Sequence, residues 1–235
     1  MGDQEVEVSA PEEVGTDKPG GPRSRKGAET RARLLAAAKE IFEESGFLDA
    51  RISDIAERAG LSHGSFYHYF ESKEEIFREV AEAVEEQLSA PVGSVILDPT
   101  SDATPQERIR TAIKLHMQSY RDQARIMGVI EQVSRYDEQV RLARRARLDH
   151  YGRQVEESIR RMQRHGLIDP ELDPTIASAA LGSMTTRFPE SWFVEGNLDC
   201  DFDDGVEQMT RVFINALGFR ADAPAAARRR TAAAG

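Results

Sequence analysis

Polar and aromatic side chains that could hydrogen-bond to nucleic acid follow one another just after Ser62. On a helix that begins there, His63, Ser65, Tyr67 and His68 would point away from the protein interior. Their hydroxyl and imidazole groups can donate and accept hydrogen bonds, and the exposed start of a helix suits contact with phosphates and base edges in a DNA groove. We therefore interpret this face as a candidate DNA-reading surface.

Two short helices joined by a tight turn must position this surface. Ala56, on the first helix, is small enough for the second helix to cross close by. Gly60 supplies the positive φ that the turn requires, and Ser62 is a good N-cap for the second helix. Phe66 and Phe70 lie four residues apart and are expected to face inward. The pattern predicts a helix-turn-helix.

Residues 28–75 resemble the TetR family of bacterial transcriptional regulators. The resemblance rests on a predicted first helix at residues 30–45, on the helix-turn-helix, and on the run SFYHYFESKEEIF after the turn. The family usually has Thr where this chain has Arg51. Because Arg cannot accept a hydrogen bond, we expect the second helix to begin without a side-chain cap.

The predicted DNA contacts lie in the reading helix, at the start of the helix before it, and in flanking basic residues. Residues 23–33 contain five Lys or Arg, which form either an arm along the minor groove or an ordinary solvated helix start. Lys73, at the N-terminus of the next helix, is the expected phosphate contact. The full predicted set is Arg25, Lys26, Arg51, Ser62, His63, Gly64, Ser65, Tyr67, His68, Tyr69 and Lys73.

Composition limits the class of protein. The chain has 235 residues, of which 40% are hydrophobic, and no apolar run approaches the ~18–20 residues of a membrane span. Its first residues are acidic and do not resemble a signal segment, and the single Cys200 excludes an internal disulfide. These features favour a cytoplasmic protein, and the sequence predicts no cofactor and no metal site.

The net charge of −10 at first argues against nucleic-acid binding, because attraction to phosphate dominates such binding. However, residues 23–73 contain nine Lys or Arg and eight Asp or Glu, so the acidic excess lies elsewhere. A structural DNA-coating protein would need strong positive charge, which the chain lacks. An enzyme is a weak alternative, since no phosphate-binding loop, nucleophile elbow or HExxH motif is present.

The sequence predicts an all-α protein of about nine helices, because no stretch shows sustained period-two alternation. We expect a disordered acidic tail (1–22), a three-helix DNA-binding domain (23–75), a larger helical effector-binding and dimerisation domain (76–220) and a disordered tail (221–235). Ser72 and Glu75 predict a capping box for a helix that reaches about Leu88 and acts as a lever between the domains. Pro91 and Gly93 predict a linker over residues 89–104.

The middle helices carry the candidate effector contacts, and several have a structural alternative. His116 could be a satisfied core residue, Glu131 a solvated side chain, Arg187 the partner of a neighbouring carboxylate, and the methionines core filler. Together they predict a mainly apolar pocket, as the resemblance also implies, for an acyl, sterol-like, aromatic or drug-like molecule. The predicted contacts are His116, Tyr120, Met127, Glu131, Tyr151, Val155, Met184, Arg187 and Phe188.

The first of the last two predicted helices, at about residues 174–193, has more apolar surface than one neighbour covers, which favours burial against a second chain. The alternative is that this helix is central to its own domain. The resemblance implies a dimeric four-helix bundle, which would read an inverted repeat with half-sites about 34 Å apart or more. The expected function is a ligand-responsive regulator, most simply a repressor, with a DNA-binding protein without effector control as the alternative. The predicted interface is Ile176, Ala180, Met184, Trp192, Met209 and Phe213.

Overall fold

The computed structural model describes residues 25–97 and 102–219, without the side chains of residues 90–97. This part of the chain is built from helices and contains no strand, so the all-α prediction is confirmed there. The predicted tails at 1–22 and 221–235 lie outside the described residues. The elements, in order, are α1 (Arg25–Asp49), α2 (Ile52–Arg58), α3 (His63–Phe66), α4 (Lys73–Leu97), α5 (Pro105–Asp122), α6 (Ala124–Ser134), α7 (Glu138–Arg164), α8 (Pro174–Pro189), a π-helical turn (Glu190–Val194) and α9 (Phe202–Leu217).

Helices α1 to α3 form a head around an aromatic core. The ring of Phe77, from the start of α4, lies 5.0 Å from that of Phe42 and 4.9 Å from that of Phe47, both edge-on. Gly46, between those two α1 residues, has a φ of 72°, and α1 kinks there without the steric cost that a Cβ would add. Phe66 anchors α3 to the same core and is fully buried.

Helix α4 is longer than the sequence predicts. It continues to Leu97, so the predicted linker over residues 89–104 is wrong for residues 89–97. Pro91 therefore lies inside the helix, where a proline costs about 3 kcal/mol. Helical stability in proteins comes mostly from tertiary packing, and α4 packs along α5. The predicted start of α5 is confirmed. Thr104 Oγ1 accepts from the Glu107 N–H at 3.3 Å, and the Glu107 carboxylate accepts from the Thr104 N–H at 2.7 Å.

The hydrophobic core of the head continues into the middle of the protein. Tyr120 of α5 and Met127 and Ile130 of α6 belong to the same buried cluster as the head phenylalanines. The expected boundary after residue 75 therefore falls inside α4, between elements that share one core. A movement of α4 or α6 would therefore displace side chains of the head.

A second core lies among α5, α7, α8 and α9 and includes Met117, Ile159, Leu181 and Phe213. No helix in the described part of the chain is long and apolar enough to cross a membrane. Gly205, in the first turn of α9, lies against the indole of Trp192, and a Cβ at this position would overlap the ring. Glycine is therefore required where α9 meets the π-helical turn.

Candidate nucleic-acid interface and effector region

The predicted N-cap of α3 is confirmed. Ser62 has an extended conformation with φ −74° and ψ 154°, and its Oγ accepts a hydrogen bond from the backbone N–H of Ser65 at 3.3 Å. The two hydroxyl groups of Ser62 and Ser65 also lie 2.7 Å apart. Gly60, with a φ of 69°, makes the preceding turn. The helix-turn-helix geometry thus follows from the residues that predict it.

Helix α3 and the turn after it (67–69) have a buried and an exposed side. Phe66 is fully buried, whereas His63 and His68 are exposed and Tyr67 keeps 51% of its surface accessible. The ring of His63 lies edge-on to that of Tyr67, at 5.4 Å. Gly64 is exposed, while Ser65 and Tyr69 are half-buried. The structure therefore brings the predicted reading residues together on one accessible surface.

The predicted basic contacts on α1 and α2 are also accessible. Arg25 and Lys26 are exposed in the first turn of α1, where Arg25 Nε lies 3.1 Å from Glu29 Oε1. Arg51 is exposed at the N-cap position of α2 and makes no side-chain capping hydrogen bond, as expected for a residue that cannot accept one. These side chains are free to turn towards phosphate.

Lys73 has a different environment from the one expected of a phosphate contact. Its Nζ donates to the carbonyl oxygens of Phe47 (2.7 Å), Leu48 (3.1 Å) and Ala50 (2.9 Å), and it lies over the Phe47 ring at 4.7 Å. An ammonium group has three N–H donors, so all of them are occupied. We correct the expectation accordingly: Lys73 joins the start of α4 to the turn between α1 and α2.

Two further arginines hold the head together rather than face DNA. Arg58 of α2 donates to Glu40 at 2.9 Å and bonds Glu44 through both terminal nitrogens, at 3.0 and 2.8 Å. The hydrogen bond from Arg58 lowers the pKa of the Glu44 carboxyl. Arg31 of α1 forms a close ion pair with Glu79 of α4. Much of the positive charge counted in the head is therefore neutralised internally.

The predicted effector contacts are divided between the two hydrophobic cores. Tyr120 and Met127 belong to the core shared with the head, whereas Val155, Met184 and Phe188 pack against the second core. The two cores meet at α5, which contributes Tyr120 to one and Met117 to the other, and Phe193 packs against both. A pocket lined by all nine predicted residues stays a prediction.

His116 bridges two helices. Its Nε2 lies 2.9 Å from the carbonyl oxygen of Thr185 on α8, and its Nδ1 lies 3.5 Å from that of Leu88 on α4. Burial lowers the pKa of His116 below its usual 6.5, and the two backbone contacts oppose this shift. The alternative of a satisfied interior residue describes His116 better than a free ligand contact does.

Glu131 belongs to a charged network that the sequence did not reveal. Arg144 of α7 forms a close ion pair with Glu131 of α6, and its Nε lies 3.5 Å from Glu85 Oε1 of α4. Arg147 donates to Glu85 Oε2 at 2.8 Å. Burial raises the pKa of Glu85, and the two arginines oppose that shift. The network joins three helices around the lever.

A periodicity signal could have identified these arginines. Val140, Arg144, Arg147 and Tyr151 are spaced by four, three and four residues, so the arginines share a helix face with an apolar side chain and an aromatic one. Tyr151 itself is half-buried, and its hydroxyl lies 3.4 Å from Glu86 Oε2. Leu142, outside that stripe, is 54% exposed.

Arg187 follows the structural alternative. It is exposed and donates to both oxygens of Glu195, at 2.8 and 3.0 Å, and its Nη1 lies 3.1 Å from Glu190 Oε2. These bonds raise the pKa of Arg187 and lower that of Glu195. The residue holds the π-helical turn against α8.

No group of three metal-ligating side chains is found in the described part of the chain.

The predicted dimer residues separate into two groups. Trp192, Met209 and Phe213 are at most 8% exposed, because they fill the interior of their own protomer, and their assignment to a dimer interface is wrong. Trp192 stacks on Phe193 at 4.4 Å. In contrast, Ile176 is 71% exposed, Ala180 is exposed, and Met184 is half-buried. Only the α8 part of the predicted surface is accessible to a second chain.

Two family models match the chain. One, for bacterial regulatory proteins of the tetR family, covers residues 34–80, and the other, a tetracyclin repressor-like C-terminal domain, covers residues 102–201. The chain is 30% identical over 177 residues to the uncharacterized HTH-type transcriptional regulator YdgC of Bacillus subtilis, which covers 74% of this chain and 86% of that protein.

A second relative is similar in sequence, and a solved structure is similar in fold. The chain is 29% identical over 176 residues to the HTH-type transcriptional repressor KstR2 of Mycobacterium tuberculosis, covering 71% of this chain and 82% of KstR2. The fold is similar to that of the fatty acid degradation regulator FadR from Bacillus halodurans, with a TM-score of 0.67, 19% identity, and coverage of 86% of this chain and 100% of that one. Together with the helix-turn-helix geometry, these matches establish that the chain belongs to the TetR family of helix-turn-helix transcriptional regulators, which are generally repressors with a ligand-binding C-terminal domain.

Proposed function

We propose that the protein is a homodimeric repressor that binds an inverted-repeat operator and leaves it when a small, mainly apolar molecule binds the C-terminal helices. The observation that carries the proposal is the division of α3 and the turn that follows it, in which Phe66 is buried while His63, Tyr67 and His68 are exposed. Phe66 attaches the helix to the core, so the exposed side chains can contact DNA without disturbing that attachment. Because an operator lies on the chromosome, we place the protein in the bacterial cytoplasm, and we propose no enzymatic activity.

A second copy of the chain is the partner that fits the exposed side of α8 and α9. Ile176 on α8 is 71% exposed and Val212 on α9 is 49% exposed. Small exposed residues beside Ile176 would allow helices to approach closely. Large apolar side chains exposed on neighbouring helices are typical of an interaction surface. The small residues are Ala179, Ala180, Gly182 and Ser183.

Helix α4 is the element through which an effector would act on the head. Lys73 attaches its first turn to the end of α1, and Glu85, three turns further on, is attached to α7 through Arg147. A molecule that separates α7 from α4 would therefore change the position of the head. It must bind the DNA-free conformation more tightly, and a ten- to hundredfold loss of DNA affinity requires about 1.4 to 2.8 kcal/mol of differential binding.

Selection from a random-sequence DNA pool tests the proposal. The wild-type protein should enrich an inverted repeat, because two copies of α3 read two half-sites. His63→Ala and Ser65→Ala should relax the preference at individual positions of each half-site. Arg145→Ala, which changes an exposed residue on α7, is the matched control and should enrich the same repeat as wild type. Enrichment of no sequence, or of one without symmetry, would refute the proposal.

A further inference from the structure

Three basic side chains of the head have no acidic partner among the residues that the structure describes. Lys26 and Arg33 on α1 and Arg51 before α2 are exposed and make no ion pair there. These three cations are therefore available to an anion. The other Lys and Arg side chains of α1 to α3 are neutralised within the protein: Arg25 by Glu29, Arg31 by Glu79, Lys39 by Glu43, and Arg58 by Glu40 and Glu44.

The start of α1 lies beside the surface proposed to read DNA. The Cζ atom of Arg31 lies 4.6 Å from the centre of the Phe70 ring, and Phe70 follows the exposed His68 by two residues. Lys26 precedes Arg31 by five residues, which is about 7.5 Å along the helix axis. Lys26 and Arg33 are seven residues apart, so they lie on the same side of α1, two turns from each other. An anion bound to these cations would therefore lie next to α3.

Helix α1 begins without the negative charge that usually compensates a helix N-terminus. The unpaired N–H groups of the first turn give this end of a helix a partial positive charge, which acidic side chains stabilise. The first turn of α1 contains Arg25 and Lys26 and no acidic residue, whereas that of α4 contains Glu74 and Glu75. An anionic segment at this point would compensate both the helix end and the side chains around it.

The sequence immediately before α1 has the complementary charge. Residues 1–22 contain six Asp or Glu and one Lys, a net side-chain charge of −5. The last of these acids, Asp17, precedes Lys26 by nine residues, which can span at most about 30 Å. Because this segment is covalently attached beside the cations, it acts at a high effective concentration that no anion in free solution has. The acids are Asp3, Glu5, Glu7, Glu12, Glu13 and Asp17.

We propose that the acidic segment of residues 3–17 binds Lys26, Arg33 and Arg51 of its own chain, on the surface that DNA phosphates would occupy. DNA must then displace the segment before it binds. Since binding to non-specific DNA depends almost entirely on phosphate, the segment keeps the protein off ordinary DNA, while base contacts still hold it at an operator. This consequence rests on the proposed function, whereas the binding of the segment to the head requires no DNA.

A zero-length cross-linker tests this binding without DNA. A carbodiimide joins a carboxylate to an amine in contact with it, and takes up the water that amide formation releases. Arg51→Lys places an amine 34 positions after Asp17. In the full-length protein it should be joined to a carboxylate of residues 3–17 within one chain, as identified by mass spectrometry of the peptides. The product should disappear at about 1 M salt, where the screening length is about 3 Å.

Arg145→Lys is the matched control for the cross-link. Arg145 is exposed on α7 and makes no ion pair with the described residues, but it lies outside the head. It should give no product with residues 3–17.

Affinity for a random-sequence duplex tests the competition. Replacement of the six acids of residues 3–17 by the corresponding amides should tighten binding about tenfold at about 0.05 M salt, because exposed ion pairs no longer have to open. The gain should shrink as salt is raised, because salt screens these pairs. A control variant with six exposed acids changed outside the head has the same net charge and should bind within about twofold of wild type. Those acids are Asp102, Asp149, Glu157, Glu171, Asp199 and Asp204.

A double-mutant cycle separates contact from general repulsion of DNA. When Lys26, Arg33 and Arg51 are all replaced by Gln, neutralising residues 3–17 should bring no further gain in DNA affinity. A gain that persists in this background would show that the acids only repel DNA, and would overturn the inference.

The remaining outcomes separate this inference from the proposed function. No cross-link to Arg51→Lys, an equal cross-link to Arg145→Lys, a cross-link only between two chains, or unchanged DNA affinity after neutralisation would overturn the inference. If the protein selects an inverted repeat in any of those cases, the proposed function stands without it. If the segment is joined to Arg51→Lys but the protein binds no DNA, the proposed function fails while the contact between the segment and the head remains.

Discussion

Lys73 Nζ lies 2.9 Å from the carbonyl oxygen of Ala50, the last residue before the N-cap of α2. The bond connects the first residue of α4 with the segment that begins the helix-turn-helix. With the bonds to Phe47 and Leu48, it fixes the direction in which α4 leaves the head. A cation at this position therefore transmits the position of α4 to the DNA-reading helix.

Lys73→Ala should lower the free energy of unfolding by about 1–3 kcal/mol, because three carbonyl oxygens lose a charged donor. DNA affinity should fall through loss of head geometry, while the slope of log affinity against log salt stays unchanged. Lys26→Ala is the comparison: its exposed ammonium is free to meet phosphate, so that slope should fall by about one unit. Denaturant unfolding and binding at several salt concentrations measure both effects. A reduced slope for Lys73→Ala would restore it as a phosphate contact.

Gly205→Ala should destabilise the protein by about 1–3 kcal/mol, because the added methyl group overlaps the Trp192 ring. Gly152→Ala is the control: its Cβ would lie 3.8 Å from Ser178 Oγ, an ordinary contact, and the change removes a flexible residue from α7. That variant should be as stable as wild type or slightly more stable. Thermal unfolding of both variants measures the difference. Equal stability of the two would show that α9 does not need this close approach.

The unfolding free energy should decrease as pH falls below 6.5, partly through His116. Its pKa is lowered in the folded state, so the unfolded chain binds the proton more readily, and the stability present above pH 6.5 is lost as acid is added. One such proton contributes a slope of at most about 1.4 kcal/mol per pH unit. His116→Gln retains a donor for the Thr185 carbonyl and should reduce the slope. Denaturant unfolding between pH 7.5 and about 5 tests this, and an identical slope in the variant would contradict it.

A charge on the exposed side of α8 should separate the dimer. Ala180→Glu places a carboxylate among Ile176 and the small residues of that surface, where burial against a second copy would leave it without a partner. Ala146→Glu adds the same charge at an exposed position of α7 and serves as the control. Sedimentation should show monomers for Ala180→Glu and dimers for the control. A stable Ala180→Glu dimer would place the interface elsewhere.

Local signals predicted the head well, because each acts over a few residues. Gly60, Ser62 and the spacing of Phe66 and Phe70 determine the turn, the cap and the buried side of α3 without help from distant parts of the chain. The start of α5 at Thr104 was predictable for the same reason. Caps and turns depend on residues that are adjacent in the sequence, so a local pattern is enough to predict them.

Tertiary contacts were not predictable in this way. Trp192 and Phe213 were apolar enough for an interface, but only the arrangement of α9 against the π-helical turn shows that their own chain buries them. The ion pairs of Arg144 join residues 13 and 59 positions away in the sequence. Periodicity identifies a buried helix face but not the helix that covers it, and it gave no sign that α4 continues past Pro91.

The mass of the protein–DNA complex tests the central claim most directly. The selected oligonucleotide, labelled and mixed with the protein in sedimentation, should carry two chains on one inverted repeat. A duplex containing a single half-site should bind much more weakly. We predict that two chains bind one duplex, with half-sites about 34 Å apart or more. A single chain bound to each duplex, or no complex with any selected DNA, would contradict this claim.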